Sequence, residues 1–267
     1  MIYRFALLII AAAVLISGCA KASTEPLAPA GHEAVVVAGA QDIVPDPAKK
    51  VYLTFDDGPN SYFTKLILDI LKQSGVKATF VVIGSNIEKN PEVFKRILDE
   101  GHSVVNHTFC HDYKKLYESP EAFLSDLDRC DKIITAFGGK AVKIYRAPGG
   151  SSRLNQDFYE FICSSGYKTL DWNVSSADSD PKGIGKEQLV SNVKNGVINM
   201  EKMEKAPIIL MHDGTEIYLG LENPGEAVEN YIRSRESDVA ALPEIIDFLK
   251  SRGYTFAGVD EHTPPAW

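Results

Sequence analysis

From residue 51 onward the chain alternates short apolar runs with amphipathic stretches. Val51-Tyr52-Leu53-Thr54-Phe55 has strand-forming character and runs straight into Asp56-Asp57, after which Gly58-Pro59-Asn60 turns the backbone. Residues 61–75 read as a helix, with Phe63, Leu66, Ile67, Ile70 and Leu71 on one face and Gly75 as its stop. Residues 78–83 form an apolar run suited to a buried strand. Asn90-Pro91 then opens a helix whose face is Val93, Phe94, Ile97 and Leu98 and which Gly101 ends. Ser103-Val104-Val105 is a brief strand, and Ser119-Pro120 repeats the helix-start signal before a long helix that ends near Gly138-Gly139. The alternation continues with a strand over 142–145, a helix over 155–165, a strand over 168–174 and a helix marked by Leu189, Val193, Val197 and Met200. A buried strand over 207–211, a helix carrying Leu242, Ile245, Ile246 and Leu249, and a last strand over 255–259 complete it. Strands alternating with helices predict parallel pairing through crossover helices, hence an α/β fold built as a (β/α) barrel.

The first 47 residues do not share this pattern. Arg4 followed by the apolar run Phe5 to Ile16 reads as an export signal over 1–18, too short to span a bilayer comfortably. Leu15-Ile16-Ser17-Gly18-Cys19 resembles a bacterial lipobox, in which Cys19 would carry lipid and anchor the chain to a membrane. Residues 19–47 are rich in Ala, Pro, Glu and Gly and read as a flexible tether spanning on the order of 30 Å. One catalytic domain is then expected over 48–262, with a short tail at 263–267. At 267 residues and 45% hydrophobic content the chain can bury a barrel-sized core. A net charge of -8 with no Lys/Arg-rich run argues against a nucleic-acid partner. Cys130 continues the apolar stripe of Phe123, Leu127 and Ile134 and is expected in the core; a Cys130–Cys163 disulfide has no support from spacing.

The polar residues matter by their position. Asp56-Asp57, His107 and His111, Arg146, Asp178 and His212 each follow the C-terminal end of a predicted strand. In a (β/α) barrel those ends share one rim, where side chains from different strands converge. Adjacent carboxylates repel, so a fold keeps them near something positive: a metal, an Arg or bulk water. His107 and His111, four apart, would fall on one side of a helical turn. With Asp57 they would make a three-ligand set that leaves positions open for water and substrate. Asp56 could then act as general base, Arg146 could orient it, and His212 could donate a proton to a leaving group.

The ordered set Thr-Phe-Asp-Asp-Gly (54–58), His-Thr-x-x-His (107–111), Arg-x-Pro-Gly-Gly (146–150), Asp-Trp-Asn-Val-x-x-x-Asp (171–178) and Leu-Met-His (210–212) resembles the polysaccharide deacetylases. These are the NodB-homology enzymes of carbohydrate esterase family 4. The resemblance covers about residues 48–262 and implies a distorted barrel with fewer than eight complete strands, usually holding zinc, with cobalt or another divalent ion as alternatives. It implies Asp56 as base, Asp57, His107 and His111 as metal ligands, Arg146 as the holder of the base, His212 as acid and Asp178 as the residue that tunes it. Gly149 is expected to offer a backbone N–H to the oxyanion. Two positions depart from the family pattern. Arg146-Ala147-Pro148-Gly149 lacks a following aromatic wall, and Ser179 stands after Asp178 where Trp is common, so that Trp172 is expected to compensate. The expected reaction is removal of acetyl groups from an acetylated polysaccharide, most naturally N-acetylglucosamine in peptidoglycan outside the cytoplasmic membrane. The alternatives are an O-deacetylase of the acetylxylan-esterase kind, an inactive surface glycan-binding protein, and a metal-uptake lipoprotein. Oligomeric state is left open.

Overall fold

Strand β1 (Asp46–Asp56) lies inside the sheet, and its alternation organises two cores. Val51, Leu53 and Phe55 face one cluster and Tyr52 the other, as the two-residue period of a strand requires. The structure, a computed structural model, describes residues 46–214 and 225–267. The export signal, Cys19 and nearly all of the expected tether lie outside the described residues.

The order of elements is β1, α1 (Phe63–Ser74), β2 (Thr79–Val82), α2 (Gly84–Lys89), α3 (Pro91–Asp99), β3 (Ser103–Asn106), α4 (Tyr113–Leu116), α5 (Pro120–Ala136) and β4 (Ile144–Tyr145). Then follow α6 (Gln156–Ser164), β5 (Lys168–Thr169), β6 (Val174–Ser175), α7 (Lys186–Lys202), β7 (Ile208–His212), α8 (Glu226–Ser251) and β8 (Tyr254–Phe256). Helix ends obey the local chemistry: Gly75 closes α1 in the left-handed region, while Ser119 and Asn155 cap α5 and α6 by accepting from the backbone N–H of Ala122 and Phe158.

All pairings are parallel, and the order is β5-β4-β3-β2-β1-β7-β6, with β8 on the first half of β1. The larger core joins Leu53, Phe80, Ile209 and Met211 to helix residues such as Leu68, Leu71, Val193, Leu242 and Ile245, with Cys130 wholly buried among them. The smaller one collects the opposite faces of the strands: Tyr52, Val81, Val105, Ile144 and Ile208, closed by Val259 and Ala266. The fold is therefore an incomplete, distorted (β/α) barrel, as expected.

Three expectations need correction. The single strand over 168–174 is two short strands at opposite ends of the sheet. Leu170 N–H still donates to Tyr145, but Asn173 N–H donates to Ile208, so the chain crosses from one edge to the other within a few residues. The strand over 142–145 shrinks to two residues because Lys143 sits at φ 55°, outside extended geometry. The last helix is longer than its apolar stripe, beginning at Glu226. Cys110, Cys130 and Cys163 are free thiols, so the disulfide is absent among the described residues.

Candidate active site

Every strand that carries chemistry ends on the same rim. Asp56 closes β1 and pairs across the sheet with His212, the last residue of β7. A cavity of about 410 Å³ opens above them, lined by Asp56, Asp57, His107, His111, Gly149, Trp172 and His212 among others. Arg146 and Asp178 stand behind this lining, each wholly or almost wholly buried.

Asp56 is held by Arg146, whose Nη1 donates to Oδ1 at 2.6 Å. The same guanidinium donates to Thr54 Oγ1 at 2.8 Å and to the carbonyls of Leu170 and Asp171. Four acceptors around one planar fork fix its orientation, and Asp56 Oδ2 is left toward His107, 3.9 Å from its Nε2. A carboxylate so placed has one oxygen tied to the guanidinium and the other turned toward the cavity, where a proton can be received.

Asp57 turns the other way. Its backbone is left-handed, at φ 77°, and Asn86 braces its carbonyl through an N–H donated at 2.8 Å. Asp57 Oδ1 lies 3.3 Å from His107 Nε2 and 3.3 Å from His111 Nε2. His107 Nδ1–H donates to the Arg146 carbonyl at 2.8 Å, which leaves Nε2 as the nitrogen available to a metal. Burial works to raise the Asp57 carboxyl, but the His107 hydrogen bond and the nearby imidazoles outweigh it and hold it below the usual carboxylate range. Asp57 Oδ1 is nonetheless buried without a hydrogen-bond partner that meets ordinary geometry. These three residues fit a divalent ion. In a tetrahedral site with metal–ligand distances of about 2.0–2.1 Å, ligand atoms stand about 3.3 Å apart, the distance of Asp57 Oδ1 from each histidine.

The expected helical turn between the two histidines does not exist. His107 follows β3 directly, and the chain reaches His111 through a loop in which Thr108 and His111 have φ of 70° and 52°. Asn106 accepts from Thr108 N–H, Asp126 accepts from Phe109 and Cys110 N–H, and Thr108 Oγ1 accepts from His111 N–H. The two histidines converge because side chains tie down this loop.

Opposite, His212 Nδ1–H donates to Asp178 Oδ1 at 2.8 Å, and His212 backbone N–H donates to Oδ2 at 2.7 Å. Burial disfavours the charged ring, yet the Asp178 carboxylate overrides it and raises His212 to about 9. Burial likewise works against the Asp178 anion, but the charges of His212 and Arg235 hold it well below the ordinary range. An imidazolium at neutral pH, with Nε2 available to the cavity, can give up a proton there.

Gly149 and Gly150 both have positive φ, and a Cβ on Gly150 would meet the Trp172 ring at 2.9 Å. That close approach places Trp172 along the cavity wall. The aromatic side expected to be missing is also filled by Tyr113 and Tyr231, which line the cavity from other elements.

Sequence reasoning missed Arg235 and Asp238. Arg235 Nη2 donates to the Asp178 carbonyl at 2.7 Å and lies 3.1 Å from its Oδ2, while Arg235 Nε lies 3.2 Å from Asp238 Oδ2. Both residues are buried, and they extend the apolar stripe of Leu242 and Ile245 at helical spacing. Two charges continuing a core stripe were the available signal. Asp213 was missed too; burial, with the charges of Asp57 and Asp56, pushes it up to about 7 despite the hydrogen bond donated by Thr64.

A model of the family described as polysaccharide deacetylase matches residues 44–170. A peptidoglycan-N-acetylglucosamine deacetylase of Bacillus cereus is 33% identical over 220 residues, covering 80% of this chain and 71% of that one. A chitooligosaccharide deacetylase of a Bradyrhizobium strain is 33% identical over 207 residues, covering 77% and 87%. Among solved structures, the catalytic domain of a peptidoglycan N-acetylglucosamine deacetylase from Eubacterium rectale superposes with a TM-score of 0.65 at 33% identity, covering 86% of this chain and 96% of that one.

Proposed function

The chain belongs to the polysaccharide deacetylases, and from that premise we propose that it removes N-acetyl groups from N-acetylglucosamine in cell-envelope glycan, with peptidoglycan as the polymer. The observation that carries this reading is the His212–Asp178 pair, which keeps a protonated imidazole across the sheet from Asp56. An amine leaves an acyl carbon poorly unless it is protonated as it departs, whereas an ester's alkoxide needs less help.

Asp56 takes the proton of the attacking water, with Arg146 holding its other oxygen. Asp57, His107 and His111 would hold a divalent ion, zinc by the chemistry of the donor set, and such an ion would supply Lewis-acid polarisation of the acetyl carbonyl and make bound water more acidic. Gly149 presents its backbone N–H to the developing oxyanion at the cavity wall. His212 then donates from Nε2 to the departing sugar nitrogen, leaving acetate and a free amine. Lipidation of Cys19 would hold the domain on the outer face of the cytoplasmic membrane, or its periplasmic side, beside such a polymer.

The test is acetate release from a panel of N-acetylglucosamine oligomers, peptidoglycan and acetylated xylan. N-acetylated substrates should be cleaved, and His212→Ala should damage them far more than an activated acetate ester. Ready cleavage of acetylated xylan with none of the N-acetylated glycans would overturn the reading in favour of O-deacetylation.

A further inference from the structure

A second cavity, of about 310 Å³, abuts the catalytic one and is lined by Gly150, Ser151, Ser152, Asp171, Trp172 and Trp267. Trp172 lines both cavities, so they share a wall. Trp267 is 70% exposed, the most exposed of the large apolar side chains described. Leaving an indole in water is unfavourable, and here it does not follow from a loose segment. Ala266, beside it, is buried in the inner core, and its carbonyl accepts from Asn173 Nδ2 at 3.2 Å. Thr263 is buried as well, and Lys168 Nζ donates to its carbonyl at 2.8 Å. The backbone is thus fastened on both flanks of the barrel's crossover, and the indole is presented at the mouth of the cleft.

Beside Gly150 and the two indoles, the lining is polar: Ser151, Ser152 and Asp171. Asp171 accepts from the backbone N–H and the hydroxyl of Ser151, so its carboxylate is held in the cleft lining. One pyranose face carries C–H groups that suit the electron-rich face of an indole, and its rim carries hydroxyls that suit a carboxylate and serines. We propose that this cleft is a glycan subsite, in which Trp267 stacks on a sugar ring of the polymer beyond the residue held over Asp56 and His212, and Asp171, Ser151 and Ser152 take its hydroxyls. This rests on the polysaccharide reading of the neighbouring cavity. Energy from such a remote contact serves to position the acetyl group, so it favours longer chains.

The experiment compares wild type with Trp267→Ala and Trp267→Phe on N-acetylglucosamine oligomers from dimer to hexamer, reading kcat/KM for acetate release. Wild type should gain with length. Trp267→Ala should lose about tenfold on the hexamer while changing the dimer less than about twofold, and Trp267→Phe should recover most of the loss. Melting temperature should not move, since the side chain is exposed. Superimposable length profiles for wild type and Trp267→Ala overturn the subsite. If wild type releases no acetate from any N-acetylglucosamine oligomer, the N-deacetylase reading has failed. The same comparison on acetylated xylo-oligomers then decides the subsite by the same criterion.

Discussion

Replacing Asp178 by Asn removes a negative charge 2.8 Å from His212 Nδ1 yet keeps an oxygen able to accept the His212 backbone N–H. In the wild type His212 is raised from 6.5 to about 9, on the order of 3 kcal/mol in favour of the imidazolium. Once the carboxylate is neutral, burial and the charge of Arg235 both press the other way, and the ring should titrate below 6.5. An imidazole of pKa 6.5 is only about one-tenth protonated at pH 7.5. The loss of acid form therefore costs at least about tenfold, and loss of the orienting hydrogen bond brings the total to roughly 10²–10³. The assay is kcat/KM against pH, from about 5 to 10, on an N-acetylglucosamine tetramer, with metal content checked in both proteins. The wild-type alkaline limb should fall at or somewhat below 9, because a bound cation repels the imidazolium. In Asp178→Asn it should move acidward by about two pH units or more, while an activated ester is barely affected. An unmoved limb, or equal losses on both substrates, would refute the assignment of His212 as the acid.

Further outcomes separate the remaining roles. Asp56→Asn should keep metal and lose roughly 10²–10⁴ in turnover, whereas Asp57→Ala should lose metal affinity; elemental analysis after dialysis decides, and the reverse pattern would exchange the two carboxylates. Arg146→Met leaves Asp56 buried without its partner and should cost about 3–5 kcal/mol in chemical denaturation; a change under about 1 kcal/mol would mean the pair is not held as described. Stability should also follow pH through His212: its raised pKa contributes fully below 6.5 and is lost as pH rises through about 9, so the melting temperature of metal-free protein should fall across that window. Cys19→Ser should release the protein from membranes or leave it unprocessed in its host, and unchanged mass and fractionation would leave only an ordinary export signal.

The strand ends were legible because a buried strand announces itself by its apolar run, and the polar residue that follows must then lie on the rim. Asp56, His107, Arg146 and His212 were all located this way. The crossover at 170–173 was not legible, since Leu170, Trp172 and Val174 continue a plausible alternation, while Asn173 pairs with Ile208, 35 residues away. Spacing brought His107 and His111 together for the wrong reason: what joins them is the bonding of Asn106, Thr108 and Asp126 to loop N–H groups. Arg235 and Asp238 could be read as buried from their place on the Leu242–Ile245 stripe, but only tertiary packing shows that Arg235 meets Asp178.

Asp56 and His212 occupy one rung of the β1–β7 ladder. Their spacing is therefore set by main-chain hydrogen bonds within the most protected part of the molecule, where amide exchange with solvent should require the largest opening. Trp172, Gly149 and Tyr113 come from the surrounding connections and can change without disturbing that rung. A lineage built on this plan can alter which glycan it accepts while leaving the Asp56–His212 rung untouched, and a selection for new substrates should collect its substitutions in the connections.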